Sequence, residues 1–293
     1  MTNRHCAFLT MDSTEGWSID ADLGIAPLEA RGWIVDQVPW RTPDIDWNVF
    51  DAVYIGTPWD YPQDVDRFME VLERIDRSRA VLVNDLALVR WTLPKTYLRD
   101  LEQLGADIVP SDWHTQLEKG ALAGFFDRTG SDRLIIKPIV STNATDTYLL
   151  TRESAPIEEP ALLQTFRDRA FVVQPFIDNI QIEGEYSLFY FGGSFSHAIR
   201  KVPKPGDFRV QEEHGAGIAA IAPRGEQVEC ADRILALVRP TPVYARCDLV
   251  RGPDGRLLLM ELELIEPSMY LRMHPDAPER FAAAFDRYVT TAS

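Results

Sequence analysis

Three carboxylates in one short stretch, Asp248, Glu261 and Glu263, are the residues whose types and spacing point most directly to chemistry. They lie in segment 243–264, VYARCDLVRGPDGRLLLMELEL, where Gly252, Pro253, Asp254 and Gly255 offer turn chemistry between two strand-like runs. Pairing Arg251 with Arg256 predicts a hairpin with one wholly apolar face: Val243, Ala245, Cys247, Leu249, Leu258, Met260, Leu262 and Leu264. The opposite face then carries Arg246, Asp248, Glu261 and Glu263, together with Val250, Leu257 and Leu259. A slip of one residue would turn one strand's apolar set outward, so the hydrophobic pattern selects this register. Glu261 and Glu263, two residues apart on a strand, would stand roughly 6.6 Å from one another. Crowded carboxylates repel unless cations or arginines hold them, and hard divalent cations prefer oxygen donors. A magnesium site and a solvated acidic face both fit this pattern.

Two lysines call for anions. Lys137 follows the apolar run Leu134, Ile135, Ile136, and a lysine leaving a buried strand needs a negative partner or a route to water. The loop after it, Ser141, Thr142, Asn143, Ala144 and Thr145, is small and polar, able to present donors to phosphate but without the glycines of a P-loop. In RWTLPKTYLRDLEQLG, Thr92 is a fair N-cap and Pro94 suits a first helical turn. Gly105 is a natural stop, and Leu98, Leu101 and Leu104 fall at helical spacing. That reading sets Lys95 in the first turn, where the helix dipole disfavours a cation but free N–H groups favour an anion beside it.

The elements that must position these groups alternate in the first third. Segments 5–10, 52–55 and 80–83 read as short strands and 32–38 as a weaker one, with helices at 21–31 and 64–75. Strands alternating with helices predict a parallel sheet covered on its faces. The loop TPWDYP, with Thr57, Trp59 and Asp60, follows a strand end, where binding groups gather in open α/β sheets; Ser13 and Thr14 form a weaker rim. Trp59 reads equally as a cover for a small substrate and as a packing residue. Segment 170–177 is an apolar strand interrupted at Gln174-Pro175, which leaves backbone groups free for a planar ligand. Gly192-Gly193 marks a hairpin turn; the simple register sets Glu185 opposite Arg200, either a surface ion pair or an arginine aimed at phosphate. The segment GDFRVQEEHGAGI brings Arg209, His214 and Gly215 into one loop, where His214 reads as structural or substrate-adjacent rather than as a metal ligand.

Composition bounds the partners. The chain has 293 residues, 45% hydrophobic and 26% charged, a mix expected of an ordinary globular protein of two or three lobes. A net charge of −15 disfavours bare nucleic acid or an anionic membrane, but not a nucleotide arriving with magnesium. Cys6, Cys230 and Cys247 are too few and scattered for a disulfide framework or zinc knuckle. No secretory signal is apparent and no run approaches the roughly 20 apolar residues of a membrane span, so the expectation is a cytoplasmic protein.

Taken in order, these motifs resemble the ATP-grasp superfamily of carboxylate–amine ligases. The resemblance runs from about Asn84 to Ser268: RW…K at Lys95, IIKP at Lys137, VVQPFI at Gln174, GEYSLFYFGG, HAIRK, FRVQEEHGAG, RCDLV and MELELIEPS. Within it the chain looks most like the cycloserine-synthetase (O-ureidoserine cyclo-ligase) branch. The resemblance implies an α/β (α+β) ATP-grasp fold: an N-terminal parallel-sheet substrate lobe (1–93), a small central lobe (94–180) and a C-terminal lobe on antiparallel sheet carrying the metal site (181–293). It implies ATP and one or two Mg²⁺, with Mn²⁺ as a substitute. Lys95 and Lys137 would hold phosphates, with Gln174, Phe176 and Ile177 lining an adenine slot, Asp178 near the ribose and Glu185 at the cofactor. Asp248, Glu261 and Glu263 would hold the metal; Glu263 stands where many members have asparagine. Arg200 and Arg209 would face the transferring phosphoryl group. Thr57, Trp59, Asp60, His214, Gly215 and Ser268 would contact a small carboxylate and amine substrate. The implied reaction is C–N bond formation through an acyl-phosphate with release of ADP and phosphate, either between two molecules or as a cyclisation. No nucleic-acid or membrane partner is implied, and oligomerisation is left open. A kinase-like phosphotransferase using Asp12, Asp20 or Asp60 as base, and a non-catalytic nucleotide-binding regulator, are the rival classes.

Overall fold

Short apolar runs dictate the inner strands of the first sheet, and a half-exposed run closes one edge. In the computed structural model, which describes residues 4–292, β1 (Arg4–Thr10), β2 (Trp33–Pro39), β3 (Ala52–Thr57) and β4 (Val81–Val83) form a parallel sheet of order β2-β1-β3-β4. Alternation along β1 sends Ala7 and Leu9 to one face and Cys6 and Phe8 to the other, and both faces are covered. Phe68, Leu72 and Ile75 of helix Val65–Asp76 cover the first. The second is covered by Leu28 and by Phe281 and Phe285 of the C-terminal helix Ala277–Ala292, so the last helix of the chain completes the first sheet. The helix expected at 21–31 is a 3-10 turn, Ala21–Gly24, running into the short helix Ile25–Glu29. Gly24 lies against the Phe281 ring, and Pro27 interrupts the propensity for one long helix.

The second sheet is antiparallel, built from β5 (Asp112–His114), β6 (Arg133–Pro138), β7 (Tyr148–Thr151) and β8 (Phe171–Pro175) in the order β5-β8-β6-β7. Leu134, Ile136 and Phe171 pack on Phe126 and Phe166 beneath helices Leu122–Thr129 and Ala155–Thr165. Alternation then sends Ile135 and Lys137 of β6 and Gln174 of β8 to the uncovered side.

The third sheet, order β11-β10-β9-β12-β13, joins β9 (Glu185–Phe191), β10 (Ser194–Val202), β11 (Gly217–Ile221), β12 (Tyr244–Arg251) and β13 (Leu257–Glu263), all antiparallel. Ala245, Cys247 and Leu249 of β12 and Leu188 and Tyr190 of β9 pack under helix Gly225–Leu235, while Arg246, Asp248 and Ser187 face the other way. The β12–β13 hairpin forms as read from the turn, but Arg251 pairs with Leu257 and a bulge follows Asp248. The bulge exchanges two pairs of leucine-row residues between faces. Leu257 and Leu259 join the helix-side core, and Leu258 and Met260 the other side. At the acidic end the expected sharing of a face survives, with Asp248 opposite Glu261 and Arg246 opposite Glu263.

Candidate active site

The uncovered face of the second sheet and the polar face of the third enclose one cavity. Ile135, Lys137, Gln174, Phe176 and Ile177 line it from one side; Glu185, Lys201, Arg246, Asp248, Glu261 and Glu263 line it from the other. Asp248, Glu261 and Glu263 each bring a carboxylate oxygen within 4.8 Å of the others. All-oxygen donors in that spacing suit a hard divalent cation, so the residues present fit magnesium.

Cations of the protein brace these carboxylates from outside. Arg246 lies 3.0 Å from Asp248 and 2.5 Å from Glu263, Lys95 lies 2.8 Å from Glu261, and Lys201 bridges Glu185 at 2.9 Å and Asp248 at 3.6 Å. Ser187 donates its hydroxyl to Asp248 at 2.5 Å. Burial by itself would raise Asp248 and Glu261; Arg246 and Lys201 outweigh it at Asp248, Lys95 and Lys137 at Glu261, and both carboxyls are held low. Glu263 escapes that balance: burial, with Glu261 and Asp248 as like-charged neighbours, pushes it up to about 7 against Arg246. Lys137 has no ion-pair partner among the described residues, and burial lowers its pKa. A half-buried cation without an ion pair in a cavity wall marks the place of an anion.

Lys95 reaches the cavity by a different route from the expected one. Thr92 closes helix Leu86–Thr92, donating to the Leu88 carbonyl, and the next helix, Tyr97–Gln103, begins two residues beyond Lys95. Lys95 therefore sits in the turn between two helices and donates to the Ser141 carbonyl at 3.0 Å as well as to Glu261. The loop at Ser141 lines the cavity despite its lack of glycine: Asn143, Ala144 and Asp146 all take positive φ, a conformation unusual for such residues. Thr142 Oγ1 donates to the Trp59 carbonyl at 3.0 Å, and His214 Nε2 lies 3.2 Å from the Asn143 carbonyl, so the loop is held on two sides.

Several expected contacts are not made. Arg200 is exposed and does not line the cavity; a bulge near Ser196 shifts β10 so that Tyr186 faces Arg200 and Glu185 faces Lys201. Gly184 permits this close approach, since a Cβ there would stand 2.6 Å from the Lys201 carbonyl at φ +96°. Asp178 lies outside the cavity, paired with Arg133. Thr57 is bonded to Thr10 across the strand ends at 2.8 Å, and Asp60 to Trp40 and Arg41, so neither faces the cavity. His214 and Gly215 shape the loop but do not line it, and Ser13 and Thr14 are exposed outside it. Arg209 lines the cavity with its guanidinium on Asp207 at 2.8 and 3.0 Å, a bond that holds Asp207 well below the usual carboxylate range. Trp59 and Ser268 do line it.

Among the cavity residues that carried no sequence expectation as site groups are Trp17, Tyr61, Lys201 and Glu266. Lys201 had a readable signal, a lysine near the end of the run SFSHAIRKV, but the bulge that turns it inward has no sequence mark. Glu266 stood in plain sight beside Pro267, without a spacing to connect it to Glu263.

Comparison with known proteins agrees with this architecture. Residues 6–84 match the family described as D-cycloserine synthetase DcsG, N-terminal domain. The cycloserine biosynthesis protein DcsG of Streptomyces lavendulae is 31% identical over 296 residues, covering 92% of this chain and 95% of that protein. The crystal structure of D-cycloserine synthetase DcsG superposes with a TM-score of 0.85 at 27% identity, covering 97% and 99% of the two chains. D-alanyl-alanine synthetase A from Vibrio cholerae shares the fold at a TM-score of 0.70 and 14% identity, covering 99% of this chain and 98% of that one. No helix among the described residues is long and apolar enough to cross a membrane. The chain belongs to the D-cycloserine synthetase family and is an ATP-dependent ligase with the ATP-grasp fold, an enzyme that forms C–N bonds.

Proposed function

We propose that this protein joins a carboxylate to an amine within one small amino-acid-like molecule, closing a ring through an acyl-phosphate; the cycloserine named for its DcsG relatives supports the small-molecule part of this reading. The observation that carries the reading is the pairing of two walls: three braced carboxylates facing a half-buried lysine without an ion pair among the described residues, in one cavity. ATP phosphates bearing magnesium are the ligand that satisfies both. In this reading Asp248, Glu261 and Glu263 hold one or two Mg²⁺, or Mn²⁺ in its place, which when bound neutralise phosphate charge. Lys137 and Lys95 hold phosphate oxygens, and the backbone of the Ser141 loop closes over them. The apolar slot of Ile135, Phe176, Ile177 and Met260 takes the adenine, with Gln174 at its edge.

Phosphoryl transfer to a carboxylate asks for alignment and charge neutralisation rather than for a strong base. Arg209, at the cavity wall, is the mobile cation suited to the acyl-phosphate, provided it exchanges Asp207 for that anion. The amine then attacks the carbonyl, phosphate leaves, and the oxyanion formed in passing requires a donor such as Arg209 or a backbone N–H. The loops at Thr142 and His214 keep water from the acyl-phosphate. A kinase would need a free aspartate base: Asp248 is the one aspartate among the described cavity residues, and Arg246, Lys201 and Ser187 already hold it. A regulator would not need three carboxylates gathered around a cation site. The three lobes, 1–93, 94–180 and 181–293, are the units we expect to move about this cavity, inside the cytoplasm and without nucleic-acid or membrane partners.

Product analysis tests the reading. Incubation with ATP, Mg²⁺ and O-ureidoserine should release ADP and phosphate together with a cyclic amide. ADP with a phosphorylated product, or no turnover on a panel of amino acids and hydroxylamine derivatives, would refute it.

A further inference from the structure

Glu266 differs from the four carboxylates around it. Glu185, Asp248, Glu261 and Glu263 each have a cation within 3.0 Å, whereas Glu266 has no ion-pair partner among the described residues. It lines the same cavity and is only 8% exposed. Its partner is the Tyr61 hydroxyl, and burial with Glu263 nearby pushes its carboxyl up to about 8. Glu213, the other unpaired carboxylate of the lining, is exposed and solvated. Glu266 also stands outside the group of three whose oxygens converge within 4.8 Å. A buried carboxylate without a cation costs stability, so a fold that keeps one has left its partner to arrive with a ligand.

The surroundings narrow that ligand. Trp59 Nε1 donates to the Glu266 backbone carbonyl at 2.8 Å, fixing the indole beside this residue. Trp17 lies against Trp59 with ring centroids 5.2 Å apart, and both line the cavity with Tyr61. Aromatic faces attract cations, and a carboxylate takes an ammonium through charge-assisted hydrogen bonds. A metal ion would want further oxygen donors here; an aromatic wall suits an amine.

We propose that Glu266, with the wall formed by Trp17, Trp59 and Tyr61, determines specificity by binding the primary ammonium group of the substrate. The proposal rests on the ligase reading and deepens it: the substrate must carry a free amine that does not react, in addition to the carboxyl that is activated. Glu266 binds that amine and takes no part in bond making.

The test is calorimetric binding of O-ureidoserine, in both enantiomers, and of its des-amino analogue, with Mg²⁺ and a non-hydrolysable ATP analogue bound. The wild-type protein should prefer the amine-bearing probe by about 100-fold or more, as a site built for a missing polar group does. Glu266→Gln should reduce that preference to about 3-fold or less while nucleotide affinity and the Mg²⁺ midpoint shift by less than about 2-fold. Should Glu266→Gln not fold, Trp17→Leu at the half-buried rim should still lower the preference by about 5-fold. Equal binding of both probes by the wild type, or binding of neither, overturns the proposal. A large shift in the Mg²⁺ midpoint of Glu266→Gln also overturns it, making Glu266 a metal ligand. Turnover is read separately: selective binding without ADP formation removes the ligase reading alone, and ADP formation without selectivity removes this inference alone.

Discussion

The two walls of the cavity handle charge in opposite ways. On the third sheet every acidic group of the metal face is matched by a cation of the same sheet or of the adjoining turn: Glu185 by Lys201, Asp248 and Glu263 by Arg246, Glu261 by Lys95. On the second sheet Lys137 has no ion-pair partner among the described residues; it lies beside Ile135 and feels the acids of the facing wall, Glu261 first, only at longer range. The first wall is preorganised, its carboxylates held in place at the expense of an internal network. The second is incomplete until an anion arrives. A buried network is costly to break from within, because removing one member leaves another charged and unpaired; an unpaired group costs the fold something merely by being present. Stability and ligand binding should therefore respond in opposite senses on the two sides.

The largest effect is expected at the metal face. Glu261→Gln should lower Mg²⁺-dependent turnover by about 1,000-fold or more and raise the Mg²⁺ concentration needed for half activity, measured by phosphate release. Asp248→Asn should match that loss and in addition lower the melting temperature, since Asp248 is shared by Arg246, Lys201 and Ser187. Near-normal turnover in either folded variant would remove the metal assignment.

A direct contrast of the lysines sharpens the comparison. Lys201→Met strands Glu185 and should destabilise the protein by about 3–5 kcal/mol in denaturant unfolding without ligand. Lys137→Met should leave that stability unchanged or raise it, yet weaken ATP binding by about 100-fold in calorimetry. Equal destabilisation by the two would erase the distinction between a braced wall and an open one.

A smaller effect belongs to the N-terminal lobe. Trp59→Ala should lower kcat/KM for the acyl substrate by about 10- to 30-fold with the KM for ATP nearly unchanged. Parallel loss of ATP affinity and of melting temperature would make Trp59 a packing residue, its indole serving only to pin the Glu266 carbonyl. The smallest effect is at Arg200, where Arg200→Ala should change kcat/KM by less than about 2-fold, because the exposed side chain faces away from both walls.

Legibility in the sequence followed the range of the forces involved. Asp248, Glu261 and Glu263 were readable because strand alternation ties them to a face that the opposite apolar rows define, and a bulge that exchanged four apolar residues left the acidic end intact. Lys137 was readable for the same reason, a cation ending an apolar strand. Strands β1, β3 and β4 of the first sheet were readable as apolar runs between turn residues, whereas β2 reads more weakly because Ile34, Asp36 and Gln37 are exposed.

Tertiary structure alone decided the rest. The bulge near Ser196 determines that Lys201, and not Arg200, faces the acid cluster; one extra residue in a strand reverses every later side chain, and polar and apolar residues on β10 do not alternate cleanly enough to announce it. Thr57 and Asp60 carried the right chemistry in the right loop, but Thr10, Trp40 and Arg41 claimed their hydrogen bonds first, a competition between segments far apart in the chain. Glu266 is the extreme case. Its meaning lies in what is missing around it, and the absence of an ion-pair partner among the described residues can be known only once every other charge of the cavity has been given its position in space.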